Sequence, residues 1–484
     1  MNRTQLNHTE PYRVVIVGGG LSGLATAAHL RLASPQVQLS VLESSARTGG
    51  VIFTEQRDGF VIDHGADMFS SKPAGTIDLC ESIGIASRLI EPQHFGRGAR
   101  IASGDRLIPV PEGFVLMRAT QLRPMMTTPL LSIRGKLRFL VERYMERGSE
   151  DDESVHDFVK RRMGREVLEK IVAPLAAGIY TADPKKLSMR ATMAPFLEME
   201  RTYGSLAKAT IARRKNGQDS IERSSTGARY SQFRSFPSGM IELTDGMTNF
   251  LPPETVRCNS SVSSIARDEG EWVIRIDGGS SQRCDHLVLT TPAKVTAKLL
   301  AAVAPTAASE LQSIESASTA IVVLGVRRSD IHRDVATFGF VVSPSEGRKI
   351  LAGSFASHKF AGRAPEDHVL IRVFIGGALQ SELLNQSDEE LVTIARNELR
   401  ELIGLEGSPV LSQVIRWDNA MPQYHIGHSE RIERIETAIS EVPNLSIVSN
   451  SMHGVGIAPV IKLASEVAQK IARESGSPAS SHVT

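Results

Sequence analysis

The chain has 484 residues, 41% hydrophobic and 23% charged, which suits a globular protein of two or three domains. Lys+Arg numbers 55 against Asp+Glu 54, so no global field recruits nucleic acid and any basic patch must be local. Cys80, Cys258 and Cys284 lie far apart, without metal-type spacing, and read as free thiols in a reducing compartment. The polar first ten residues, followed by an apolar run that stops at glycines, argue against a secretory signal. No stretch reaches the roughly 18 apolar residues that a spanning helix needs. The expectation is a cytoplasmic protein, at most peripheral on the inner face of the cell membrane.

In chain order, Arg13–Val17 (RVVIV) predicts a strand, Gly18–Gly23 (GGGLSG) a tight turn, Leu21 to Leu32 a helix, and Val37–Glu43 a second strand. Residues 113–147 combine apolar positions with Arg118, Arg123, Arg134, Lys136, Arg138, Arg143 and Arg147, and read as basic amphipathic helices. Residues 212–229 are polar and Gly/Ser-rich, which predicts a loop. Further strands are expected at Trp272–Ile276, Leu287–Leu289, Ile321–Val326, Phe338–Val342, Val369–Ile375 and Leu445–Val448. Val460–Ala472 predicts a last helix, and the tail after Glu474 a disordered end.

The strand–turn–helix start carries Gly18-x-Gly20-x-x-Gly23. Gly18 makes the turn, Gly20 lets backbone approach a pyrophosphate, and Gly23 lets the helix pack on the strand. The helix N-terminus then offers N–H groups and a partial positive charge to phosphates. Glu43 ends the next strand, where a carboxylate can accept from both ribose hydroxyls. A second glycine turn, Arg47-x-Gly49-Gly50, and a third at Gly59–Gly65 give further close approaches that an NAD fold does not need. These features point to FAD. No other GxGxxG stands between a strand and a helix, so electrons are expected to pass to oxygen, a quinone or another protein rather than to a nicotinamide.

At this point the residues resemble the amine-oxidase-like flavoproteins, and within them the porphyrinogen oxidases of haem biosynthesis. Gly65-Ala66-Asp67-Met68-Phe69 with Lys72-Pro73 is similar to the GPDSF…KP segment, and Ala177–Ser188 (AGIYTADPKKLS) to G-[IV]-Y-A-G-D-P-x-x-L-S. Tyr203–Leu206 follows it. Phe236–Leu243, Phe360–Pro365, Phe374–Gly377, Trp417–His428 and Asn450–Ile457 resemble further signatures in the same order. Ala66, Ala182 and Ser449 depart from the pattern and bear on local geometry. The resemblance implies an α/β fold: a Rossmann-type FAD-binding domain (1–90, 235–295 and 415–475), an inserted mixed β-sheet substrate domain (91–112 and 296–414) and a helical, membrane-facing domain (113–234). The tail 476–484 is expected to be disordered.

By that resemblance Gly18, Gly19, Gly20, Leu21, Ser22, Gly23, Glu43, Ser44, Arg47, Gly50, Val51, Gly65, Ala66, Asp67 and Met68 line FAD. Val262 would touch the adenine side, while Trp417, Val455, Gly456 and Ile457 would close around the flavin ring. Arg100 would pair with a substrate propionate, its alternative being a solvated surface arginine; Lys72 is a similar candidate. Gly178 would lie under the macrocycle, and Val342 and Phe374 would wall it, unless they belong to the core. The implied reaction is a six-electron oxidation of a porphyrinogen by oxygen, with no side-chain acid or base assigned and no metal. Lys72 and the DMFSSKP segment favour coproporphyrinogen III, with protoporphyrinogen IX as the alternative. More distant alternatives are a flavin amine oxidase and a flavin-bearing redox sensor without turnover. Residues 113–147 would dock on a membrane surface or serve the next haem-pathway enzyme, the alternative being a solvated arginine face over a helical core.

Overall fold

The structure, a computed structural model, describes residues 11–94, 96, 98–149, 151–215 and 232–476. Arg97, residues 216–229 of the expected loop and the tail 477–484 lie outside them; residues 212–215 finish a helix, Leu206–Lys215, instead of starting the loop.

Five parallel strands form the first sheet, in the order Val256–Arg257, Gln38–Leu42, Arg13–Val17, His286–Leu289, Leu445–Ile447. Arg13–Val17, at its centre, is buried almost throughout, which explains a continuous apolar run instead of an alternating one. The helices Leu21–Ala33 and Ile457–Glu474 pack together on one face through Leu24, Ala28, Ile461, Ala464 and Ala468. All five strands point the same way, so the loops leaving Val17, Leu42, Leu289 and Ile447 gather along one edge.

A seven-stranded mixed sheet follows, in the order Leu411–Pro422, Ser316–Arg327, His368–Gly376, Ala352–Phe355, Gly339–Val342, Ala99–Ser103, Arg106–Pro109. Only the Gly339–Val342/Ala99–Ser103 pair is parallel among these neighbours. Its edge strand Leu411–Pro422 crosses the boundary expected at 415. Backbone pairing with Ser316–Arg327 carries Trp417 into this sheet before the chain returns to the parallel one.

The third region is helical, with its own core of Phe114, Phe158, Ile171, Met189 and Met193. Residues 113–147 are not helical throughout. Phe114–Val115 and Arg118–Ala119 form a small hairpin, turned at Leu116 with φ of 53°, and the helices Leu122–Thr127 and Ile133–Leu140 follow. Phe114, Met117 and Arg118 are all buried there, so this hairpin is not part of an exposed arginine face. Among the described residues no helix is long and apolar enough to cross a membrane.

Candidate active site

The glycine turn is built as its spacing requires. A Cβ on Gly23 would overlap the Gly18 carbonyl oxygen and lie 2.9 Å from Thr290 Oγ1, so helix and strand can approach only at a glycine. Gly20 caps the helix Leu21–Ala33 without a side chain, and no acid stands in its first turn, so Leu21, Ser22 and Gly23 open toward an anion. Glu43 is fixed at the rim: its Oε2 accepts from Gly19 N at 2.6 Å and its Oε1 from Ser45 N at 2.8 Å. Oε1 also accepts from Ser45 Oγ at 2.6 Å and Ser44 Oγ at 3.3 Å, so the capacity left for a ribose hydroxyl is on Oε2, which among the described residues holds Gly19 N alone. Ser44 is exposed beside it, and Ser260 N donates to Glu43 O at 2.7 Å, bringing the strand start at Val262 alongside.

The second glycine turn packs on the first. Gly49 N donates to Gly19 O at 2.9 Å, and Gly20 pairs with Gly49 as an isolated bridge. Arg47 ties this turn down, with Nη2 donating to Gly50 O at 2.9 Å and its guanidinium 4.5 Å over the Phe53 ring. Val51 is 47% exposed next to it, and a Cβ on Gly65 would overlap Val51 O. Backbone therefore runs without interruption from the pyrophosphate turn to Gly65, Ala66, Asp67 and Met68. The last three line a cavity of about 890 Å³.

Asp67 anchors the wall of that cavity. Its Oδ2 lies 2.8 Å from Lys359 Nζ and 3.2 Å from Arg372 Nη1. Arg372 Nη2 also donates to Gly65 O. Burial alone would raise the Asp67 carboxyl, but Lys359 and Arg372 outweigh it and hold the group far below the usual carboxylate range. Behind it Arg363 lies 3.4 Å from Asp63, whose Oδ1 accepts from Thr54 Oγ1 at 2.6 Å. On the far side Trp417 Nε1 donates to His64 O at 2.8 Å, joining the mixed sheet to the same segment. Gly456 caps the helix Ile457–Glu474 with no side chain and no acid in its first turn, while the neighbouring Val455 is half-buried.

Apolar walls come from Gly178, Phe196, Val341 and Phe374, and cations from Lys72, Arg118, Arg213, Lys359 and Arg372. Two expectations are corrected. Arg100 does not line the cavity: along Ala99–Ser103 the alternation turns Ala99 inward, and Arg100 Nη1 lies 3.5 Å from Leu107 O. Val342 is 3% exposed and packs in the sheet's core, while its neighbour Val341 faces the cavity. Arg118 and Arg213 were missed as wall residues. Arg118 could have been suspected from its setting, one arginine in the apolar stretch Gly113–Ala119. The departures from the family pattern are absorbed locally: Ala66 lines the cavity, Ala182 is buried, and Ser449 Oγ accepts from Ser451 N at 3.2 Å. Among the described residues no His/Cys/Asp/Glu group could hold a metal ion; His428 stacks on Tyr424, His425 O accepts from His428 N, and His453 Nε2 lies 2.6 Å from Glu436 Oε1.

The family model for flavin containing amine oxidoreductases matches residues 21–472. The chain belongs to that family. Within it the chain sits on the porphyrinogen-oxidase branch, and its cofactor is FAD. It is 30% identical to a coproporphyrinogen III oxidase of Propionibacterium freudenreichii subsp. freudenreichii, over 95% of this chain and 90% of that one. The enzyme of that name from Bacillus subtilis is 29% identical, over 93% and 95%. Protoporphyrinogen oxidase 2 of Arabidopsis thaliana is 26% identical, over 94% and 93%. A crystal structure from Exiguobacterium sp. 255-15, titled for protoporphyrinogen oxidase, superposes with a TM-score of 0.83 at 27% identity, over 96% of this chain and 99% of that one. Cyclohexylamine oxidase from Brevibacterium oxydans IH-35A shares the fold, with a TM-score of 0.70 at 15% identity, over 96% and 99%. The site's geometry fits the cofactor: an open helix N-terminus, two glycine turns packed backbone to backbone, and a continuous path into the cavity.

Proposed function

We propose that the protein oxidises coproporphyrinogen III to coproporphyrin III with oxygen as acceptor. Removal of six electrons and six hydrogens reduces three oxygen molecules to three of hydrogen peroxide. Bound FAD supplies the two-electron acceptor that each of the three oxidations needs. The chain's own residues bind and orient. The N-terminus of the helix Leu21–Ala33 and the Gly49–Val51 turn would hold the dinucleotide, with Glu43 on the ribose and Val262 toward the adenine. Trp417, Val455, Gly456 and Ile457 would enclose the ring, with Asp67 and Met68 between it and the substrate.

The observation that carries the choice of substrate is the charge of the cavity wall. Among the described residues five cations and one carboxylate, Asp67, line an otherwise uncharged space, a formal excess of four positive charges. Coproporphyrinogen III brings four propionates and protoporphyrinogen IX two; with Lys359 and Arg372 held on Asp67, the positive excess that remains on the wall favours the substrate with more carboxylates. Lys72 and Arg118 line the cavity and would meet propionates, which an arginine can do with two parallel hydrogen bonds. Gly178, Val341 and Phe374 give the cavity an apolar lining that would suit the macrocycle. Comparison of kcat/KM on the two porphyrinogens tests this reading, which expects coproporphyrinogen III to be preferred by about tenfold or more, at least 1.4 kcal/mol. Equal use of both, or preference for protoporphyrinogen IX, would remove it.

The helical region also carries an uncovered apolar stripe. Ile133, Leu137, Leu140, Val141 and Tyr144 recur at helical spacing, with Ile133 77% and Tyr144 70% exposed. Arg123, Arg134, Arg143 and Arg147 are exposed around them, whereas Glu142 is buried, leaving Glu146 as the one exposed acid of residues 122–147. We infer a reversible seat on an anionic membrane surface. Co-sedimentation with phosphatidylglycerol vesicles, but not with phosphatidylcholine vesicles, is expected, and Ile133→Glu with Leu137→Glu should abolish it.

A further inference from the structure

The loop Asn450–Gly456 follows the strand Leu445–Ile447 on the same edge of the parallel sheet as the glycine turn, and it opens the helix Ile457–Glu474. Much of what holds it comes from one distant segment. The Tyr424 hydroxyl donates to Asn450 O at 2.6 Å and accepts from Gly454 N at 2.7 Å. The His428 ring stacks on the Tyr424 phenol, with centroids 3.9 Å apart and planes at 14°. His428 Nε2 lies 3.2 Å from Met452 O. Burial lowers the His428 pKa to about 4, so the ring is neutral at pH 7 and its Nε2 proton faces that carbonyl. Two stacked rings therefore grip three backbone groups within five residues. Both are almost wholly buried, Tyr424 at 2% and His428 at 2% exposure.

The same segment reaches the substrate side. Ser188 N donates to Tyr424 O at 2.8 Å, and Gln423 Nε2 donates to Tyr180 O at 3.3 Å. Tyr180 ends the helix Ala173–Tyr180, which carries the cavity-lining Gly178. Val455, directly after the gripped Gly454, packs against the core of the helical region. Packing alone does not call for a phenol with both hydrogen-bonding functions spent on one loop; a phenylalanine would fill the same space. The hydroxyl's specific product is the path of the backbone from Asn450 to Gly456.

We propose that Tyr424, backed by His428, is a positioning residue for the cofactor: through Gly454 it fixes the direction in which the N–H groups of Val455, Gly456 and Ile457 meet the flavin ring. The proposal rests on the reading that this loop lies against FAD. Backbone N–H groups aimed at the ring favour its electron-rich, reduced form, so the clamp sets both affinity and potential.

Tyr424→Phe removes the hydroxyl and keeps the ring and its stack. With two hydrogen bonds lost, the FAD dissociation constant should rise about tenfold. Where the reduced form loses about tenfold more than the oxidised form, the two-electron potential falls by about 30 mV. His428→Phe keeps the stack and loses only the Met452 bond, and should move both readouts in the same direction by less. Melting temperature, followed by circular dichroism, reports whether either variant is merely unfolded. A Tyr424→Phe protein whose FAD affinity and potential equal those of the parent would overturn the proposal, whether or not its melting temperature falls. A parent protein that takes up no FAD would overturn the underlying reading first, before any variant is compared.

Discussion

Replacing Asp67 by asparagine tests the charge arrangement on which the cavity wall is built. Lys359 Nζ at 2.8 Å and Arg372 Nη1 at 3.2 Å share one carboxylate oxygen. At an effective dielectric of about 20, these separations give gross attractions of about 6 and 5 kcal/mol. Most of that offsets the cost of taking three charges out of water. What the substitution removes is therefore the compensation for two buried cations, which costs about 3–5 kcal/mol. Lys359→Met is the informative partner, because it leaves Asp67 paired with Arg372 and should cost only about 1–2 kcal/mol. Melting curves at saturating FAD separate the two. Asp67→Asn should melt on the order of 5–10 °C below the parent and Lys359→Met within a few degrees of it. An Asp67→Asn protein that melts with the parent, or a Lys359→Met protein that falls equally far, would refute the reasoning.

Gly23→Ala should yield protein purified without flavin absorbance, since the new Cβ meets the Gly18 carbonyl and Thr290 Oγ1; a normally yellow preparation would contradict the cradle. Gly178→Leu should raise KM for the porphyrinogen about tenfold or more while leaving the flavin spectrum alone, because its Cβ already stands 3.0 Å from Val341 Cγ1 and the branch enters the cavity. Stability should fall on the acid side. Burial lowers the pKa of His286 to about 3 and of His428 to about 4, against about 6.5 in the unfolded chain. Both are neutral when folded and take up a proton on unfolding. Their contribution is present above pH ~6.5 and is lost as pH falls toward 4, by up to about 1.4 kcal/mol per pH unit each. Asp67, with its depressed pKa, adds loss in the same direction at still lower pH. Calorimetry from pH 8 to 4 should show a flat, then steeply falling melting temperature; equal stability at pH 7.5 and 4.5 would contradict it.

The nucleotide cradle was legible because its physics is local: Gly18, Gly20 and Gly23 act within six residues, and Glu43 closes the next strand. The wall of the cavity was only partly legible. Arg100 and Val342 each lie one position away from a residue that does face inward, Ala99 and Val341. A strand's two faces are separated by a single residue, and nothing within one strand says which face the fold will cover. Arg118 reads from the sequence as part of a basic amphipathic helix, since its hairpin is only two residues deep on each side. The Asp67–Lys359 pair spans 292 residues and the Asp67–Arg372 pair more, so it exists only once the mixed sheet has folded against the glycine turns.

The most direct test of the central claim is an anaerobic titration of the purified, FAD-loaded protein with coproporphyrinogen III. The account predicts stoichiometric bleaching of the flavin absorbance and, on admitting air, its recovery together with coproporphyrin fluorescence. A flavin band that stays unbleached in the presence of excess coproporphyrinogen III would contradict it.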